Sequence, residues 1–317
     1  MDSATADVAH DFYPWFRVYT DGRVERFLES PLVPPSLDVR SKDIAISATA
    51  SARLFLPIAA APNEKLPLLI YIHGGFFSIE SPFSSTYHGY VNSLVAQSKV
   101  IAVSIQYRLA PENPVPACYD DCYAVMKWVA QHKDCAHRPG LDPWLSEHAD
   151  FGKVYLAGDS AGANLGHNMV VRTDGDGHWL KKFSGLVLIH PFFGNEEPDK
   201  LWEFICSDSG GVNDPRLNPA AHPCLLSKLR CEKVLIFTAG LDQYKQRGCT
   251  YYAALKKSGW EGAVEIENAP GENHVFHLSD PTSDKAKAMM KKVASFINPA
   301  NMPPLCEKEA GCAINSA

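Results

Sequence analysis

Hydrophobic positions in this chain alternate between short continuous runs and runs spaced three and four apart. Residues 66–72 (LPLLIYI), 99–105, 154–157, 186–190 and 233–238 carry almost no charge. They predict strands buried on both faces of a sheet. Between them, Tyr119, Cys122, Tyr123, Met126, Val129 and Ala130 recur at helical spacing and predict a helix over 119–132. Further helices are predicted after residue 160, over 246–258 and over 285–297, with outer strands at 52–57 and 264–266. Near the start, residues 16–19 and 23–27 alternate about the turn Thr20-Asp21-Gly22, a β-hairpin signal. The aromatics Phe12, Tyr13, Trp15 and Phe16 beside it are costly to leave in water and should pack back on the body. Strands alternating with helices imply a mainly parallel sheet with helices on both faces.

Chemistry concentrates where these runs end. KVYLAGDSAGAN is an apolar run followed by Gly158-Asp159-Ser160-Ala161-Gly162 and a helix-like segment. Strand, serine at a sharp bend, then helix is the G-x-S-x-G elbow, and the alternative is a glycine-rich turn without chemistry. The flanking glycines suit a strained bend with no room for side chains, and the bend should thrust Ser160 into the open. At the helix start, the Ala161 amide faces any negative charge that forms beside the serine. The run 66–72 ends in His73-Gly74-Gly75-Phe76-Phe77, whose glycines let backbone amides approach a ligand or simply make a tight turn.

A serine hydroxyl needs a base, and the base needs an acid that fixes its tautomer. Where such an elbow is catalytic, these follow in the order serine, acid, histidine. Asp242, four residues past the 233–238 strand, fits the acid. The later segment GENHVFH offers His274, which we favour because it lies nearer the glycine-bearing loop, and His277; Glu272 is a weaker candidate acid.

Composition narrows the class. The 317 residues suit one α/β domain with a small cap, and 30 basic against 36 acidic residues give a net charge of −6 with no basic block. Nucleic acid is therefore not an expected partner. The N-terminus MDSATADVAHDFYPW lacks a basic, apolar leader, and no run approaches the ~18 apolar residues of a membrane span. A cytoplasmic protein without a membrane association is expected. Nine cysteines without a C-x-x-C pair read as reduced thiols, Cys118 and Cys122 included, and no metal cluster, phosphate loop or dinucleotide fingerprint appears. No cofactor or metal is expected, and whether the protein is a monomer or a homodimer stays open.

Four runs carry a more specific signal: IHGGFFSIESPFSSTYH, VIAVSIQYRLAPENPVPACYDD, GDSAGAN and GENHVFHL. Over nearly all of residues 10–298 the chain resembles the plant carboxylesterases of the hormone-sensitive-lipase-like group. That group also holds 2-hydroxyisoflavanone dehydratases, tuliposide-converting enzymes, alkaloid cyclases and the gibberellin receptors. The resemblance implies an α/β-hydrolase fold. It also implies a Ser160-Asp242-His274 triad and an oxyanion hole from the loop Gly74, Gly75 and Phe76 together with Ala161. The expected layout is an arm over 1–45 contributing to a cap, a core over 46–298 with a cap insertion at about 192–230, and a disordered tail over 299–317. An insertion at that place should sit over the active site and shape substrate choice.

The expected activity is hydrolysis of a small carboxylic ester, a specialised plant metabolite, through an acyl-enzyme. The alternative is a lyase, cyclase or intramolecular acyl transferase on the same scaffold. A receptor of the gibberellin type is disfavoured, since those lack the triad histidine and His274 is present. Two departures stand out: phenylalanine at position 76 where the group has a third glycine, and an insertion that looks short, predicting a smaller or more open cap.

Overall fold

Period-two sorting of side chains on the strands builds the architecture. The structure, a computed structural model, describes residues 7–28, 30–37, 39–133, 140–172 and 182–301. On the strand β6 (Leu66–Ile72), whose residues are all buried, Leu68, Ile70 and Ile72 feed one apolar core while Leu69 and Tyr71 feed another. Strands that supply two cores must be largely apolar on both faces, which is why these runs carry so few polar positions.

The chain begins with β1 (Val8–Phe12), β2 (Phe16–Tyr19) and β3 (Val24–Arg26), a separate three-stranded antiparallel sheet. The expected hairpin is present, with Phe16 opposite Arg26 and Val18 opposite Val24, and β1 adds a strand that alternation did not reveal. Next come β4 (Arg40–Ala45), β5 (Ser51–Leu56), β6, α1 (Ser85–Ser98), β7 (Ile101–Gln106) and α2 (Ala117–Ala130). They are followed by α3 (Pro143–His148), β8 (Ala149–Asp159), α4 (Ala161–Arg172), β9 (Gly185–Ile189), α5 (Lys200–Ile205) and α6 (Pro223–Leu226). The chain closes with β10 (Lys233–Ala239), α7 (Lys245–Lys257), β11 (Ala263–Ala269), α8 (Phe276–Ser279) and α9 (Asp284–Ile297).

Eight strands form the main sheet in the order β11-β10-β9-β8-β6-β7-β5-β4, parallel from β11 to β7 and antiparallel at β5 and β4. Residues of α2, α4 and α7 share the core fed by Leu68 and Ile70; those of α1 and α9 share the other. The sheet is therefore covered on both faces, as expected. Arg40–Ala45, read from sequence as the end of the arm, is instead the edge strand of this sheet. Its charged residues hide it from pattern reading and suit an exposed edge. The helix α1 was not anticipated either, because STYHGYVNS looks polar. Its signal was a Ser84 cap followed by Tyr87, Tyr90, Val91, Leu94 and Val95 on one face.

The arm and the insertion meet over the sheet's carboxyl edge. His10 and Phe12 lie 4.4 and 5.0 Å, ring to ring, from Phe204 of α5. Arg26 clamps the arm down, donating to Ser78 O at 2.7 Å and pairing with Glu112 at 2.7 Å. The tail from residue 302, and Cys135, Cys306 and Cys312, lie outside the described residues. Among the described residues no helix is long and apolar enough to cross a membrane.

Candidate active site

Close packing dictates the elbow. A side chain on Gly158 would meet the Gly162 carbonyl at 2.5 Å, and one on Gly162 would meet Ile72 O at 2.0 Å. Only glycine lets β8 turn straight into α4. Ser160 takes up the bend at φ +50°, in the left-handed region that costs a non-glycine residue on the order of 1–3 kcal/mol. Its amide donates to Ile189 O and its carbonyl accepts from Phe192 N–H, so neighbouring β9 holds the strain in place. The sequence reading set Ser160 in the open, but it is only 2% exposed. It lines, with His274 and with Trp15, Phe27 and Leu28 of the arm, a cavity of about 570 Å³.

The structure brings Asp242, just beyond β10, to His274, just beyond β11: Nδ1 of His274 lies 2.8 Å from Asp242 Oδ2. Burial would raise the Asp242 carboxyl. The hydrogen bond and charge of His274, with the Tyr244 amide at 2.8 Å, hold it below the usual carboxylate range instead. Nε2 of His274 and Oγ of Ser160 are buried and without hydrogen-bond partners among the described residues. The competing candidates are accounted for otherwise. His277 is buried away from Asp242, against Tyr90 and His190, and burial holds its imidazole down near a pKa of 3. Glu272 pairs with Lys285 at 2.8 Å.

The glycine loop divides into two jobs. No hydrogen bond among the described residues uses the N–H of Gly75, Phe76 or Ala161, so these amides are free to donate to a ligand. Gly74 does not belong with them: its amide donates to Tyr87 Oη at 2.9 Å. Glycine is needed there because a side chain would strike Asp159 Oδ2 at 2.4 Å. Gly75 and Phe76 both adopt positive φ, +101° and +54°, which explains why a third glycine would be at ease at position 76. The Phe76 ring packs on Trp15 of the arm at 4.1 Å and edge-on to Phe192, forming a wall of the cavity. The insertion contributes no residue between 193 and 230 to that lining. It packs instead into the body, with Trp202 fully buried against Phe77, so the arm and the loops after β6 and β11 shape the cavity.

Sequence reading missed the supports. His190 is buried at φ +46°, and its Nδ1 accepts the N–H of Val275, itself at φ +48°, which fixes the backbone next to His274. His190, Asp242 and His274 form a group compact enough to suggest a metal site. The Asp242–His274 and Val275–His190 hydrogen bonds already engage them, so the cluster reads as an acid–base pair with its buttress. Asp159 is the other support: its oxygens accept from Tyr71 Oη at 2.7 Å and Tyr87 Oη at 2.8 Å, linking the elbow to Gly74.

Burial pushes the Asp159 carboxyl up to about 6, against the pull of the two tyrosines. The native state then holds a proton between pH ~4 and ~6 that the unfolded chain has released, so this group's contribution to stability falls as pH rises through that window. The span of about two units corresponds to roughly 3 kcal/mol. Asp159→Asn should therefore gain on wild type by about 2 kcal/mol between pH 4.5 and pH 7.5 in urea unfolding, the part of that span above pH 4.5. An equal gap at both pH values would exclude the raised carboxyl.

Comparison with known proteins agrees with this geometry. The chain is 42% identical over 318 residues to probable carboxylesterase 5 of Arabidopsis thaliana, covering 92% of this chain and 99% of that one. It is 41% identical over 309 residues to tuliposide A-converting enzyme 2, chloroplastic, of Tulipa gesneriana, covering 92% and 79%. It is 40% identical over 320 residues to 2-hydroxyisoflavanone dehydratase of Glycyrrhiza echinata, covering 93% and 98%. A solved hyperthermophilic esterase from the archaeon Pyrobaculum calidifontis superposes with a TM-score of 0.65 at 26% identity, over 82% of this chain and 85% of that one. The family model described as alpha/beta hydrolase fold matches residues 69–278. With a main sheet running parallel from β11 to β7, a serine at the β8–α4 bend and this match across most of its length, the chain belongs to the alpha/beta hydrolase fold family.

Proposed function

We propose that the protein is a serine carboxylesterase acting on a small carboxylic ester through an acyl-enzyme. The observation that carries this reading is one cavity lined by Ser160 and by a histidine whose other ring nitrogen meets a buried carboxylate at 2.8 Å. Ser160 attacks the ester carbon while His274 takes its proton at Nε2. Asp242 accepts from Nδ1–H, holds the tautomer and steadies the imidazolium. The amides of Gly75, Phe76 and Ala161 receive the oxyanion. One such donor is worth roughly 2.7–4 kcal/mol in the transition state. His274 then passes the proton to the leaving alcohol, and water repeats the cycle on the acyl-enzyme.

The cavity, about 570 Å³ and walled by Trp15, Phe27 and Phe76, suits a small substrate with an apolar part. The Arabidopsis relative, named a probable carboxylesterase, supports ester chemistry, and our reading of the substrate is a specialised plant metabolite. Cys118, Cys122, Cys206 and Cys231 are buried free thiols, which fits a reducing compartment; our reading is the cytoplasm. We read the partner as a small-molecule ester alone, without nucleic acid.

The test is a stoichiometric organophosphate. It should form one adduct, mapped by mass spectrometry to the peptide carrying Ser160, and stop turnover of p-nitrophenyl acyl esters. Ester turnover that persists in fully labelled protein would sink the assignment.

A further inference from the structure

One part of the cavity wall is polar and takes no part in the chemistry above. Glu80, Ser30 and Thr86 line the same cavity as Ser160 and His274. Ser30 Oγ donates to Glu80 Oε1 at 2.8 Å and lies 2.7 Å from Thr86 Oγ1. The Ser30 proton is spent on Glu80, so Thr86 donates to Ser30 and keeps its own lone pairs free. The second Glu80 oxygen, Oε2, is buried and has no hydrogen-bond partner among the described residues. No lysine or arginine among the described residues forms an ion pair with this carboxylate. Glu80 also holds φ +73°, an uncommon backbone for a non-glycine residue and one that clusters at ligand sites.

A carboxylate only accepts hydrogen bonds, and an oxygen shut away from water without a donor is unfavourable. The wall therefore presents two acceptors, Glu80 Oε2 and Thr86 Oγ1, that call for donors on a ligand. A cation would supply them, but in the same cavity it would oppose the imidazolium that His274 becomes during attack. Neutral hydroxyls do not.

We infer that Glu80 and Thr86 form an acceptor pair that selects esters whose acyl or alcohol part carries a free hydroxyl. This rests on the esterase reading of the cavity. Hydrogen bonds to a charged acceptor give a preference of about tenfold to a hundredfold, because the substrate lacking the hydroxyl leaves the acceptor unpaired.

Matched pairs test it on both sides of the ester: p-nitrophenyl butyrate against p-nitrophenyl 3-hydroxybutyrate, and butyl acetate against 4-hydroxybutyl acetate. A third pair, 3,3-dimethylbutyl acetate against acetylcholine, reports preference for a cation. In wild type the hydroxylated member of at least one pair should be favoured in kcat/KM by tenfold or more. Glu80→Gln keeps the shape but replaces the charged acceptor Oε2 with a neutral N–H, which leaves the hydroxyl only a weaker, neutral hydrogen bond, and the ratio should fall severalfold. No preference for either hydroxylated ester, a ratio unmoved by Glu80→Gln, or a preference only for the cation would overturn the inference. Isothermal titration of the same esters into Ser160→Ala protein, with and without Glu80→Gln, separates the two readings. A hydroxyl preference in binding that Glu80→Gln weakens, with no wild-type turnover of any ester, would overturn hydrolysis and keep the acceptor pair. No preference in binding or in turnover would overturn the pair.

Discussion

Ser160→Ala is expected to lower kcat for test esters by on the order of 10⁶-fold while leaving the protein folded. The size follows from the loss of the only atom that forms the acyl bond; the free amides of Gly75, Phe76 and Ala161 would still orient an ester and account for any residue of activity. Stability should hold because Ser160 Oγ makes no hydrogen bond among the described residues that could be lost. Alanine also keeps the Cβ, so the strained bend at φ +50° is unchanged in kind. The measurement is burst and steady-state turnover of a p-nitrophenyl ester, with urea unfolding as the control. Turnover within tenfold of wild type in folded protein would remove acyl-enzyme chemistry from consideration.

His274→Ala should cost about as much as Ser160→Ala, and the double variant no more than either, because nucleophile and base act as a unit. Removing the ring also leaves the Asp242 carboxylate without its 2.8 Å partner, so some loss of stability, of order 1–3 kcal/mol, accompanies it. That cost is absent in Ser160→Ala, and the contrast in unfolding curves identifies the pair. The same two variants address elimination, the chemistry suggested by a relative named as a dehydratase. There, His274 would be the base and the serine only a hydrogen-bonding group, so Ser160→Ala would spare the natural reaction while His274→Ala erased it. We expect equal loss in both. Natural-substrate conversion by Ser160→Ala within about tenfold of wild type would decide for the other chemistry and leave the fold as described.

The sequence by itself determined the parts in which local pattern and tertiary demand coincide. β6 is apolar at every position, and β10 at all but Lys233 and Thr238, because both faces are covered, so their runs announce them. The elbow is legible because Gly158 and Gly162 have no alternative where a side chain would meet backbone at 2.5 and 2.0 Å. Strand order then brings Asp242 and His274 side by side from positions just past β10 and β11, the neighbouring strands at one edge of the sheet. Only the tertiary structure decided matters that depend on what packs across the chain. β4 is recognisable through its partner β5, since a charged edge strand has no pattern of its own. Gly74 leaves the set of free amides because Tyr87, 13 residues away, accepts its hydrogen. Asp159 and His190 look like ordinary neighbours of strand ends until burial leaves their hydrogen bonds few and directed. The cavity wall belongs to the arm because Trp15 finds Phe76, a contact between segments some sixty residues apart that no local periodicity encodes.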